Sequence, residues 1–172
     1  MPKNAVQKIK LHFSFVLFII FLLIGATQAA DRGPVTNLQL PRFVSLKASK
    51  ANARRGPSLS HRIDWVFKRK HMPLEVYAEY ENWRKVRDID GAGGWIHYSL
   101  LSGARTAVFS ANMQNILSNP TEDSIVIARV EKNVVAKILR CELNWCLIST
   151  GGYKGWAPKT SLWGVYKDEI KN

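Results

Sequence analysis

Hydrophobic positions along the chain fall into two regimes. Residues 11–24 form one apolar run, interrupted only by His12 and Ser14; it follows a basic start with Lys3, Lys8 and Lys10 and ends in Gly25-Ala26-Thr27-Gln28-Ala29-Ala30. Beyond it no stretch carries a long helical repeat of apolar residues. Short runs rich in β-branched and aromatic residues recur instead: Phe43 to Leu46, Trp65 to Phe67, Leu74 to Tyr80, Trp83 to Arg87, Gly94 to His97, Ile125 to Val130, Val134 to Leu139, Trp145 to Ser149 and Gly155 to Ala157. Gly, Pro, Asn and Asp separate them at strand-sized spacing. The pattern predicts an all-β chain of small barrels or sandwiches.

The first 29 residues have the three zones of a secretory signal peptide. Their apolar run is 14 residues long, short of the roughly 20 needed to span a membrane, so an uncleaved anchor is the weaker reading. Small residues Thr27 and Ala29 favour a cut after Ala29, and the later cysteines are too distant to make a lipoprotein anchor. Composition then sets the scale. The chain has 172 residues, 47% of them hydrophobic, which excludes disorder, collagen and a polytopic membrane protein. Without the signal, 143 residues of formal charge +9 remain, enough for one ordinary domain or two very small ones.

An internal repeat favours two. Leu74 to Val86 overlays Ala136 to Ile148, so that Asn82-Trp83 falls on Asn144-Trp145; Gly94-Trp95-Ile96 then matches Gly155-Trp156-Ala157, and Leu101 matches Leu162. Upstream, Gly56-Pro57-Ser58 has a weaker counterpart in Asn119-Pro120-Thr121. The spacing is 61 to 63 residues, which predicts two tandem domains near the lower size limit for an unaided core. If Leu143-Asn144 form a two-residue hairpin loop, Cys141 faces Cys146 at a non-hydrogen-bonded pair, where Cα atoms lie about 4.5 Å apart and a disulfide fits. Export favours that structural disulfide over a redox or metal role. In the overlay Glu79 and Arg84 occupy the same two positions, predicting a cross-strand ion pair where the other copy has the disulfide.

The residues carrying this pattern resemble a known family. Asn52-Ala53-Arg54-Arg55-Gly56-Pro57-Ser58, then a strand, then Asn82-Trp83-Arg84-Lys85-Val86-Arg87 and Gly93-Gly94-Trp95-Ile96-His97, resemble the bacterial SH3-like domain. Pro41 to Lys47, Leu100-Leu101-Ser102-Gly103, Asn144-Trp145-Cys146 and Leu162-Trp163-Gly164-Val165-Tyr166 resemble exported bacterial proteins with two such domains. The resemblance implies two tandem small SH3-like β-barrels after the signal peptide: residues 1–29 signal, 30–40 an extension, 41–104 and 105–167 the two domains, and 168–172 a tail. The second copy departs from the pattern at Gln114 to Pro120, which lacks the Arg and Gly of the first and so argues against a ligand role for that loop.

A catalytic centre needs a nucleophile or metal with a base and an orienting partner, and no such set emerges. His97 alternates with Ile96 on a predicted strand, and its repeat partner is Pro158, so it reads as a replaceable surface histidine. His61 and His71 have one nearby acid, Asp64. Gly91, Gly93 and Gly94 do not follow a strand and open a helix, and Asp88 and Asp90 read as turn formers. The chain is therefore expected to be non-enzymatic, with no cofactor and no metal. Trp95 and Trp156 are expected in the cores.

Charge points to a partner. Residues 31–110 hold 14 basic and 7 acidic residues, residues 111–172 hold 8 and 6, and between Arg42 and Lys70 nine basic residues face Asp64 alone. One reading is a solvated face; the other is contact with an anionic surface. Nucleic acid is not expected for an exported chain. The candidates are a cell-wall polymer, anionic lipid or lipopolysaccharide, or an acidic envelope protein. Tyr80, Trp83 and Tyr98 with Arg54 and Arg55 are the expected groove of the first domain. The functional expectation is an envelope binding module that contacts peptidoglycan or another anionic component; the alternative is a scaffold or regulatory partner of an envelope protein or hydrolase. Oligomeric state is not fixed by the sequence.

Overall fold

The computed structural model describes residues 31–172; the signal peptide expected over residues 1–29 and the cut expected after Ala29 lie outside the described residues. Among those described, no helix is long and apolar enough to cross a membrane. The first sheet contains β1 (Arg42–Leu46), β2 (Ala51–Arg54), β3 (Ile63–Phe67), β4 (Pro73–Tyr80), β5 (Trp83–Arg87), β6 (Gly93–His97) and β7 (Leu101–Ser102). The second contains β8 (Thr106–Phe109), β9 (Gln114–Leu117), β10 (Val126–Val130), β11 (Val135–Cys141), β12 (Trp145–Thr150), β13 (Tyr153–Pro158) and β14 (Leu162–Trp163). Their orders are β3-β2-β6-β5-β4-β1-β7 and β10-β9-β13-β12-β11-β8-β14. Adding seven to each label converts one into the other, so the protein is all-β and built of two equivalent modules.

The equivalence extends to irregularities. Pairing of β4 with β5 shifts between Val76 and Ala78, and pairing of β11 with β12 shifts between Ile138 and Arg140. One extra residue bends each long strand at the same place. Each module has its own core: Leu46, Phe67, Leu74, Val76, Val86 and Ile96 are fully buried in the first, and Phe109, Ile116, Ile138, Ile148 and Ala157 in the second. Gly94 lets β2 cross β6 closely, because a Cβ there would meet Arg54 O at 2.6 Å and its φ is +147°. Gly155 does the same for β9, with Leu117 O at 2.6 Å from the position of a Cβ.

The first glycine-tryptophan pair corrects one expectation: Trp95 is not a core residue, whereas Trp156 is buried as expected. Ile96 and Ala157 take the core positions, so the alternation of the strand sends the preceding Trp95 and Trp156 to the other face. Trp95 is half-buried beside Lys85, whose Nζ lies 6.0 Å from its ring centroid, and Trp156 is buried beside Arg140 at 5.0 Å.

The segments that flank the two modules dock on equivalent corners. Residues 31–40 form a small hairpin, with Gly33 N–H donating to Leu38 O (2.8 Å) and Leu40 N–H to Asp31 O (2.7 Å). The buried Glu79 carboxylate holds it: Val35 N–H and Thr36 N–H donate to Oε2 at 3.2 and 2.9 Å, and the Thr36 hydroxyl donates to Oε1 at 2.7 Å. At the matching position of the second module, Cys141 exchanges two backbone hydrogen bonds with Lys171 (2.8 and 3.0 Å). The stretch just before Lys171 also joins the modules. The Phe43 ring packs against Trp163 at 5.0 Å and Tyr166 at 4.7 Å, and the Tyr166 hydroxyl donates to Glu75 Oε1 at 2.9 Å. Arg105 grips Glu169 with two bonds of 2.7 and 3.0 Å. Burial, then the hydrogen bond to Glu75, push the Tyr166 hydroxyl well above the ordinary tyrosine range.

Candidate groove on the first module

Strand β5 begins at Trp83, whose register partners are Tyr80 on β4 and His97 on β6. The Trp83 and His97 rings meet edge to face at 5.6 Å, and His97 lies 4.9 Å from the Tyr98 ring. A groove of about 540 Å³ on the second module and one of about 310 Å³ on the first open at matching places. The first is lined by Lys50, Asn52, Arg54, Leu59, Trp83, His97 and Leu100, with Ala51 at its base. The loop from Arg55 to Arg62 forms one bank, tied back by Arg54 Nη1 donating to His61 O at 2.7 Å.

Of the five residues expected here, Arg54 and Trp83 line the groove together. Tyr98 stands beside His97, half exposed, with the Arg84 guanidinium 5.9 Å from its ring centroid. Tyr80 is half exposed and outside the lining. Arg55 turns away to Asp64 at 3.2 Å, where Arg62 also bonds at 2.8 Å. The Arg62 hydrogen bond, aided by Arg55, holds the Asp64 carboxyl below the ordinary carboxylate range. His97, Lys50, Asn52 and Leu59 were not in the expected set. Pro158, which made His97 look replaceable, faces Trp145 in register as His97 faces Trp83. The Asn-Trp repeat therefore carried the signal: counting outward from each Trp reaches a groove residue in both copies.

Glu79 and Arg84 are register partners, but the carboxylate meets more than one arginine. Arg42 Nη2 lies 2.6 Å from Oε1 and Arg84 Nε 3.4 Å. Burial opposes ionisation of Glu79, yet hydrogen bonds from Thr36 and Arg42 outweigh it and bring its pKa down to about 2. Cys141 and Cys146, the matching pair, form a disulfide with Cα atoms 4.1 Å apart. Asp88 acts as a turn former, its Oδ1 accepting from Asp90 N–H at 3.1 Å and Ala92 N–H at 2.8 Å. Among the described residues, no three His, Cys, Asp or Glu side chains gather as a metal site.

Residues 47–103 and 110–164 each match the family described as bacterial SH3 domain. The chain belongs to this family. The two bacterial SH3 matches fall one on each seven-stranded sheet. No curated protein matches the chain. Among solved structures it is similar to NlpC2 from Trichomonas vaginalis, at 20% identity over 73% of this chain and 49% of that one, with a TM-score of 0.34. It is similar to NlpC1 from the same organism at 20% identity, over 74% of this chain and 47% of that one, also with a TM-score of 0.34. The chain thus spans about half the length of either protein. Within this bacterial SH3 pair the two grooves differ in chemistry: the first has Lys50, Arg54 and His97 and no acid, while the second sets Glu122 beside Trp145, Pro158, Lys159 and Lys167.

Proposed function

We propose that the protein is an exported, non-catalytic binding module of the bacterial envelope whose first SH3 copy contacts peptidoglycan or another anionic envelope polymer. The observation that supports this is the make-up of the groove on Trp83, where Lys50 and Arg54 flank an aromatic floor and no carboxylate lines the walls. Aromatic faces receive extended peptides or the apolar sides of sugar rings, and the cations meet carboxylates. Arg54 and Trp83 are the central contacts in this reading, with His97 beside them, Tyr98 on the rim, and Tyr80 and Arg55 further out. Anionic lipid or lipopolysaccharide head groups would draw on the same cations.

The Cys141–Cys146 bond fits an oxidising compartment, in keeping with residues 1–29 as a cleaved signal. We take each seven-stranded sheet as a small barrel, the modules as residues 41–104 and 105–167, and the second copy as the one that stabilises or spaces the first. The test is sedimentation of residues 30–172 with insoluble peptidoglycan at low and high salt, beside Arg54→Ala and Trp83→Ala. Binding that weakens with salt and is lost in both variants is the expected result. No sedimentation at either salt overturns the wall-polymer reading and favours a scaffold role on an envelope protein.

A further inference from the structure

We propose that a cleft between the two modules, separate from the groove on Trp83, binds a phosphorylated sugar. The cleft has a volume of about 540 Å³. Lys70 and His71, from the turn between β3 and β4, form one wall; Thr106, Lys137, Ser149 and Thr150 of the second module contribute to the other.

Its charge is unbalanced. No carboxylate lines it, and Lys70 and Lys137 are exposed with no ion-pair partner among the described residues. Two uncompensated ammonium groups on one cleft call for an anion. Lysine is a compact point charge that serves as a phosphate binder without demanding a fixed geometry.

The hydroxyls narrow the choice. Thr106 Oγ1 donates its proton to His71 O at 2.8 Å, and Thr150 Oγ1 donates to Val135 O at 2.9 Å. Both oxygens are left with acceptor capacity only, which suits a ligand that donates hydroxyl protons as well as carrying negative charge. A sugar bearing phosphate has both properties, and the volume is in the range of small-molecule sites. At the far end, Gly151 has left-handed backbone (φ 56°), and no atom lies within 4 Å of where a Cβ would sit. Bare peptide is thus open to a ligand. The walls are set before binding by the Thr106 bond and by Arg69 donating to Asn133 O across the modules, which lowers the ordering cost of association.

The experiment is titration calorimetry of residues 30–172 with glucose 6-phosphate, inorganic phosphate and glucose, with melting curves to verify folding of each variant. Glucose 6-phosphate should bind, inorganic phosphate more weakly, and glucose not at all. Lys70→Gln and Lys137→Gln should each weaken binding about tenfold, while Arg54→Ala, in the other groove, leaves it unchanged. Absence of binding by the wild type, or affinity indifferent to both lysine substitutions, overturns the proposal; equal affinity for inorganic phosphate overturns its sugar component. Because Arg54→Ala probes the groove on Trp83 alone, failure here is distinguishable from failure of the wall-polymer reading.

Discussion

Glu79 is an acid with a fully buried side chain, fed by two backbone N–H groups, a hydroxyl and two arginines. Its folded pKa of about 2 lies below the ordinary 4.5, so it contributes stability in full above pH 4.5 and loses it as pH falls through about 2. Glu79→Gln should lower neutral-pH stability by about 3 kcal/mol, because Arg42 and Arg84 lose their counter-charge, and should flatten the pH dependence across that window. Urea unfolding of both proteins at neutral and acid pH checks this; parallel pH profiles would refute it. The facing of Glu79 and Arg84 was legible from the repeat, because hairpin register comes from counting. The docking of Thr36 and Arg42 was not, since residues 31–40 carry no periodicity and their partner lies some 40 positions away.

At the scale of elements, the glycine crossings and the disulfide each predict an outcome. Gly94→Ala would drive a Cβ into Arg54 O at 2.6 Å from a backbone at φ +147°, and should cost about 2–3 kcal/mol. The same change at Gly103, where nothing lies within 4 Å of a Cβ, should be nearly silent, and comparison of the two melting curves tests the assignment. Reduction of Cys141–Cys146 should cost about 2 kcal/mol, the chain-entropy value for so short a loop, and should raise amide exchange at Lys171, which pairs with Cys141. Strand positions were legible because apolar and polar residues alternate and turn formers separate the runs. The bulges at Tyr77 and Leu139 were not, because one added residue leaves composition unchanged while re-aiming every side chain beyond it on the strand. The outward turn of Trp95 could have been anticipated, since Ile96 competes for the same core and the smaller side chain takes it.

For the whole molecule, the two modules share Phe43, Trp163, Tyr166 and the Glu75 carboxylate. Calorimetry should therefore find one unfolding transition. Phe43→Ala should destabilise by about 3 kcal/mol and split that transition in two; a single transition in the variant would mean that coupling runs through the Tyr166–Glu75 and Thr106–His71 contacts instead. The repeat was visible in sequence because paired motifs recur at fixed spacing, whereas the module junction rests on single residues far apart in the chain. The sheet order has a mechanical consequence. In each module the first strand lies antiparallel to the last, Ser45 beside Ser102 and Leu46 beside Leu101, then Val108 beside Trp163 and Phe109 beside Leu162. Both chain ends of a module therefore leave from the same end of that strand pair. A pull through them loads the bonds one after another, like a zipper, rather than all at once in shear. Under tension each module should open at low force, so the architecture suits gripping a surface better than bearing a load between two anchors.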